Sequence, residues 1–319
     1  MATQAVTIRK RKGLGRHAQE QVAAYLFISP YLLSVLVFTL GALLYALWAS
    51  FSDLELFNTI PIHIFGVKIS VPQNFVGLEQ YVKVLTDSDF HKALGNTLLF
   101  SAVVVFCQTW LALLMAVALN ARIRALRFFR VAWYTPSVTS SVVISLIFFW
   151  LYNKNGYINY ILYGLLGWAG FQPVDWLNST TFALPAIMTM NIFTTAPTFM
   201  LMFLAALQDI PRDVYEAASI DGATGARVFF NITLPLLRPI IFLVVVLGTI
   251  GTWQVFDQIY VMTNGGPLKS TLTVAYLIWR AAFRDSEMAF ASAMAFILFV
   301  IIFVLFLIQR RVLERGTEV

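Results

Sequence analysis

Apolar and polar positions fall in long blocks along this chain. Six charge-free runs, at 23–51, 93–121, 131–153, 176–207, 239–256 and 288–309, reach or nearly reach the length that a helix needs to cross a bilayer core. That length is about 20 residues. The fifth run continues to about residue 262, which places Asp257 inside it or at its edge. The pattern predicts an all-α membrane protein: a basic N-terminal segment at 1–22, a six-helix domain at 23–310 and a tail at 311–319. Pro30, Pro136, Pro185 and Pro197 lie inside the runs, each freeing a backbone carbonyl, so kinks are expected there. The run Thr135-Pro136-Ser137-Val138-Thr139-Ser140-Ser141 is dense in small hydroxyl residues and reads first as packing between spans.

Two polar interruptions stand out. In 52–92, alternating stretches at Ile60–Ile64 and Val67–Val71 flank Phe65-Gly66 and predict a small hairpin. In 208–238, Pro211 is suited to open a helix, Asp213 and Glu216 suit its positive end, and Gly222 is placed to end it. Ala217 and Ala218 present so little side chain that another surface can approach. A second short helix is expected over 223–231, with Pro235 as its stop. The product is a helical knuckle between two spans.

Composition narrows the function classes. The 319 residues are 59% hydrophobic and 12% charged, against about 25% charged in average soluble domains. The net charge of +6 is spread over short loops, so no nucleic-acid surface is expected. The single cysteine, Cys107, lies in an apolar run, which leaves no disulfide within the chain and no thiolate metal site. No phosphate-binding Gly-x-x-x-x-Gly-Lys-Ser/Thr loop occurs, so ATP and Mg would have to be held by another chain. With the N-terminus inside, the inner segments carry five, four, three and three Lys or Arg residues, fifteen in all. The outer ones carry three, one and three, seven in all. This asymmetry predicts a multi-pass protein of the inner or plasma membrane with both termini and the knuckle in the cytoplasm.

Glu216-Ala217-Ala218, then Asp221-Gly222, then Ile232 and Leu234-Pro235, resembles the EAA coupling loop of ATP-binding-cassette importer permeases. Two further runs are similar to sugar-type members of that family. One is Phe75-Val-Gly-Leu…Tyr81…Phe90…Ala93-Leu…Asn96-Thr97. The other is Thr263-Asn264-Gly265-Gly266-Pro267, a tight turn that follows Trp253–Tyr260. The resemblance implies the type I importer fold and a place as the first of two paired permeases, of the maltose and glycerol-phosphate kind. It also implies two ATPase subunits that grip the coupling loops, and an extracytoplasmic solute-binding protein that delivers cargo. The chain would supply a path and a lever but no catalytic residue.

A solute path belongs near mid-membrane, on polar groups that hydrocarbon would penalise. Asn191, Thr195 and Thr198 are spaced four and three apart and share a helical face. Gly248, Thr252 and Val255 repeat that spacing on the fifth span. In the maltose permease the matching faces hold the sugar, but this chain is less polar at the fifth-span positions, which argues against maltose itself. Trp253, Gln254, Asp257, Gln258 and Tyr260 form a second group toward the outer end of that span. Asp257 reads either as a solute ligand or as a membrane-edge carboxylate paired with a loop cation, and Asn191 either as a path residue or as a hydrogen-bonding link between helices. Gln108 is a further path candidate. A stand-alone secondary transporter is the alternative, but it would want several ionisable groups in the spans, and only Asp257 is near one. A membrane-embedded enzyme ranks last, because no paired catalytic groups lie within the spans.

Overall fold

The computed structural model describes residues 16–54, 60–64, 67–71, 74–120 and 126–313. The basic residues 9–12, the Phe65-Gly66 turn and the end of the tail lie outside the described residues.

The chain folds as helices of membrane-crossing length joined by short pieces. The first span is α1 (Arg16–Ser34), a wide π-helical turn (Val35–Leu40) and α2 (Gly41–Ser50). It is exposed along most of its length. At its far end Ala49 packs with Leu54 and Ala289, beside Tyr45 and Met288. Next come β1 (Ile60–Ile64) and β2 (Val67–Val71), antiparallel with Ile62 opposite Ile69, as the alternation predicts. After α3 (Glu79–Thr86) comes α4 (Ser88–Asn120), the second span.

The third span is broken. Helix α5 (Leu126–Val138) meets α6 (Ser141–Leu151) at a bend of 97°. The hydroxyls before the bend bond within their own turn: Thr135 Oγ1 donates to Val131 O, Ser137 Oγ to Tyr134 O and Thr139 Oγ1 to Thr135 O. With Pro136 removing one N–H, these side chains satisfy the carbonyls that a bend exposes. The kink expected from Pro136 within the 131–153 run falls at Thr139–Ser140, and at 97° it is sharp enough to divide the span into two helices.

Helix α7 (Tyr157–Leu166) follows, then an irregular stretch, then α8 (Ala183–Asp209), the fourth span. It begins later than the hydropathy run at 176. Asn159 holds the preceding loop: its Nδ2 donates to Val174 O (2.7 Å), and its Oδ1 accepts from Val174 N and Trp176 Nε1. Trp176 is thereby fixed in the loop. Beyond α8 come α9 (Arg212–Ile220), α10 (Ala226–Val228), a second π-helical turn (Phe229–Thr233) and α11 (Leu234–Leu236). Then come α12 (Arg238–Trp253), α13 (Asp257–Met262), α14 (Val274–Trp279) and the last span, α15 (Met288–Leu313). Residues 226–236 meet α12 at a bend of 68°. Among the described residues, four helices are long and apolar enough to cross a membrane, or six spans if each bent pair counts as one.

Helices α4 and α8 form the centre. Ala93, Ala112 and Ala116 on one and Ala183, Ala186 and Ala196 on the other are buried, which lets the two backbones approach closely. One apolar cluster, with Phe90, Phe100, Ile187, Met190, Ile259 and Met294, fills one end of the bundle. A second, with Leu113, Leu119, Met200, Phe203, Leu237 and Val244, fills the other, toward the knuckle. Between them lie polar links across helices.

Candidate functional site

The knuckle is built from local backbone chemistry. Pro211 caps α9 in extended conformation (ψ 140°), and Asp213 sits in the first turn. Gly222 ends the helix at φ +73°, with Gly222 N bonded to Ser219 O and Ala223 N to Ala218 O. A Cβ at Gly222 would touch nothing within 4 Å, so glycine is needed there for its backbone freedom alone. Gly225, at φ +51°, is a second hinge that the sequence reading missed. Ala218 and Thr233 face inward, and Tyr215 Oη lies 3.3 Å from Thr233 Oγ1, tying the two arms together. Glu216, Ala217 and Asp221 are exposed, and Ile220 is 86% exposed. Ile232, Leu234 and Pro235 are half-buried.

One detail differs from expectation. The second arm starts at Ala226 and continues through Pro235, which sits at the start of α11. The wide turn at Phe229–Thr233 changes the hydrogen-bond register just before it, so the proline occupies a first-turn position, where a missing N–H is tolerated. The bend comes at Leu237, ahead of Pro239.

The second site is a cavity of about 260 Å³ beside the break in the third span. Pro136, Ser137, Thr139, Ser141 and Ile144 form one wall. Met190, Thr194, Thr195, Thr198 and Phe199 of α8 form another, and Gln258 of α13 completes the lining. The hydroxyl-rich segment read as packing is thus part of a cavity wall, because the bend turns its side chains away from the helix contacts that a straight span would make.

Thr195 and Thr198 line the cavity; Asn191 lies behind it. Asn191 is 6% exposed and donates from Nδ2 to Gln258 Oε1 (3.1 Å), while its Oδ1 is buried without a partner. The Thr195 hydroxyl lies 2.6 Å from Gln108 Oε1 and 2.7 Å from Asn191 O. Gln108, 1% exposed, keeps an unpartnered Nε2 beside Gly248, where a Cβ would come within 2.3 Å of it. Second span, fourth span and α13 are therefore joined by one chain of side chains.

The fifth-span candidates lie elsewhere. Gly248 packs on Gln108, and Thr252 Oγ1 donates to Ser101 Oγ (2.8 Å), so both face α4. Val255 and Trp253 are buried in the apolar cluster. Gln254 and Asp257 are exposed, and among the described residues no cation pairs with Asp257. Gln258 is buried on α13, which begins at Asp257 after α12 has ended at Trp253. Spacing counted through the break could not separate it from its neighbours.

The first sugar-type motif meets the residues that directly follow the second. Asn96 Nδ2 donates to Lys269 O and Leu272 O, and Thr97 Oγ1 accepts from Val274 N. Asp89 bonds both Lys269 and Arg280. The segment around 263–274 is thus fastened to the start of α4. Among the described residues, no group of His, Cys, Asp and Glu is placed to hold a metal ion.

Comparison with known proteins adds the following. Residues 108–317 match the family model described as binding-protein-dependent transport system inner membrane component. The chain is 29% identical over 306 residues to a probable ABC transporter permease of Bacillus subtilis, covering 94% of this chain and 99% of that one. It is 33% identical over 292 residues to a trehalose/maltose transport system permease of Thermococcus litoralis, covering 89% and 91%. Its fold superimposes with a TM-score of 0.78, at 21% identity and over 96% of this chain and 98% of the other, on a chain of a bacterial alginate ABC transporter solved in complex with an alginate pentasaccharide-bound periplasmic protein.

Proposed function

The chain belongs to the family of binding-protein-dependent transport system inner membrane components, and from that premise we propose that it forms half of the path by which a sugar enters the cell. It is a multi-pass membrane permease of a binding-protein-dependent importer. The finer reading concerns solute, partners and orientation. In it, a second homologous permease completes the path, an extracytoplasmic binding protein delivers the solute, and two ATPase subunits bind ATP and Mg. Each ATPase subunit grips one knuckle. Closure of the ATPase pair moves α9, and the spans rock between inward-open and outward-open arrangements around the cavity.

Two observations support the coupling half. Ile220, Glu216 and Ala217 point away from the fold, while Ala218 and the Tyr215–Thr233 contact keep α9 rigid against it. A lever needs both an exposed grip and a stiff root. The charge asymmetry of the loops supports a cytoplasmic knuckle.

The observation that carries the solute half is the cavity itself: a pocket whose lining sets hydroxyls and one amide among Pro136, Ile144, Met190 and Phe199, at a helix break, where irregular backbone is tolerated because it lines a space. Relatives that transport trehalose and maltose or arabinooligosaccharides support a sugar. A stand-alone secondary transporter fits less well, since no ionisable side chain lines the cavity.

Asn191→Leu tests the path. Interhelical hydrogen bonds in membranes contribute about 0.6 kcal/mol on average, so the variant is expected to assemble normally while uptake by the complete transporter in proteoliposomes falls about tenfold or more. Unchanged uptake by a fully assembled variant would mean that Asn191, through its hydrogen bond to Gln258, does not shape the path.

A further inference from the structure

Pro136 also borders a second cavity, of about 300 Å³. Leu111 and Met115 of α4, Trp133 and Pro136 of α5, and Phe193 and Pro197 of α8 line it. No charged, amide or hydroxyl side chain does. Leu111 and Phe193 are 40% and 51% exposed, so this groove opens to the outside of the chain. Apolar space of this kind does not hold water. In a protein that crosses a bilayer, its mouth meets hydrocarbon or another subunit.

A cation beside the groove separates those two occupants. Arg130 lies one turn before Trp133 on α5 and shares its face. Its Nε is buried and makes no hydrogen bond, and among the described residues no carboxylate pairs with it. The surrounding sequence supplies no counter-charge either. From Phe90 to Val174 there is no Asp or Glu, while Lys92, Arg122, Arg124, Arg127, Arg130 and Lys154 all occur. A partly buried guanidinium without a counter-ion is costly, and a phosphate satisfies it through two parallel hydrogen bonds. Phe128 and Val131, beside Arg130, are 69% and 68% exposed, as on a basic amphipathic helix that lies at a lipid surface. From Arg130 to Pro136 the helix rises about 9 Å. One leaflet of a bilayer core is about 15 Å deep. A headgroup held at Arg130 thus places its chain along the groove within a single leaflet.

We infer that Arg130 and this groove form a site for one anionic phospholipid, its phosphate on the guanidinium and one acyl chain between α4, α5 and α8. The site needs only that the chain spans a membrane. Its placement in the inner leaflet rests on the orientation proposed above. The acyl chain packs against Pro136, a residue that the groove shares with the solute cavity.

Native mass spectrometry tests this. The assembled transporter, this chain with its partner permease and ATPase subunits, is released from nanodiscs of equal phosphatidylglycerol and phosphatidylcholine, and the retained lipids are counted. The parent complex is expected to keep at least one phosphatidylglycerol in preference to phosphatidylcholine. Arg130→Gln should lower that preference about fivefold, the worth of one cation near an anionic surface, and Arg130→Lys should keep most of it. Leu111→Trp fills the mouth of the groove and should lower retention of this lipid about fivefold. Met115→Phe, a smaller intrusion into the same groove, serves if the first variant does not assemble. Equal retention of the two lipids by the parent would overturn the inference. So would a preference that survives Arg130→Gln, or retention that survives the groove substitution. If Arg130→Gln instead releases the ATPase subunits and leaves the lipid count unchanged, a protein partner covers the cation and the inference fails. Solute uptake, measured in parallel on the parent complex, reports on the path reading separately.

Discussion

Gly248 shows how much a single residue decides. It carries no side chain because the Gln108 amide lies where a Cβ would be, at 2.3 Å, and that amide in turn meets the Thr195 hydroxyl. Gly248→Ala is expected to push the amide aside, break its contact with Thr195 and destabilise the assembled protein by about 1–3 kcal/mol. Adding Gln108→Ala should recover most of that loss, because the two sites share one space. Thermal unfolding in detergent measures both, and a Gly248→Ala protein as stable as the parent would refute the contact. The sequence grouped Gly248, Thr252 and Val255 as one face; Gly248 and Thr252 both meet α4, but Val255 lies past the end of α12 and outside that spacing. It could not say which neighbour that face meets, because spacing fixes an angle about one helix and carries nothing about the helix opposite. Asn191 and Thr195 were legible because polar side chains at helical spacing in an apolar run need partners. Gln258 was grouped with Asp257, but as successive residues of α13 they lie on different sides of that helix, Asp257 exposed and Gln258 buried.

Among the elements, the knuckle was the most legible and the third span the least. Pro211, Asp213 and Gly222 each act on the backbone within a few residues, so their effect could be read without knowing the fold. Pro235 misled, since its role depends on the wide turn just before it, which no residue type announces. In the third span, uncharged Thr139 and Ser140 pass unnoticed through a hydropathy count, although the chain bends there by 97°. The fourth span starts at Ala183 because Asn159 and Trp176 hold the residues before it in a loop, a contact across sequence that composition cannot show. The lever role proposed for α9 has a direct consequence. Glu216 is exposed and makes no link that the fold needs, so Glu216→Lys should leave the permease pair intact, as judged by gel filtration. The same substitution should reduce co-purification of the ATPase subunits at least about tenfold, since reversing a charge in a docked surface turns attraction into repulsion. Full retention of the ATPase with normal transport would take Glu216 out of the docking surface.

For the whole molecule, the architecture joins a closely packed centre to a polar seam. Helices α4 and α8, packed through buried alanines, link an apolar cluster near the knuckle to one at the opposite end. The cavity lies beside that axis, where the third span breaks and α13 begins. The side-chain hydrogen bond that leaves this centre at the cavity, Asn191 on α8 to Gln258 on α13, is individually weak, whereas Thr195 to Gln108 joins α8 to α4 within the centre. At the opposite end from the knuckle, Asn96, Thr97 and Asp89 fasten the segment from Lys269 to Arg280 to the start of α4.

The account turns on which side of the membrane the knuckle occupies. In a Cys107→Ser background that leaves no other thiol, Ala217→Cys places a single reactive group on the exposed face of α9. A membrane-impermeant maleimide should label it in inside-out vesicles, not in intact cells, and co-expressed ATPase subunits should protect it. Labelling in intact cells, or labelling in inside-out vesicles that the ATPase does not reduce, would contradict the assignment of this helix as the motor's grip.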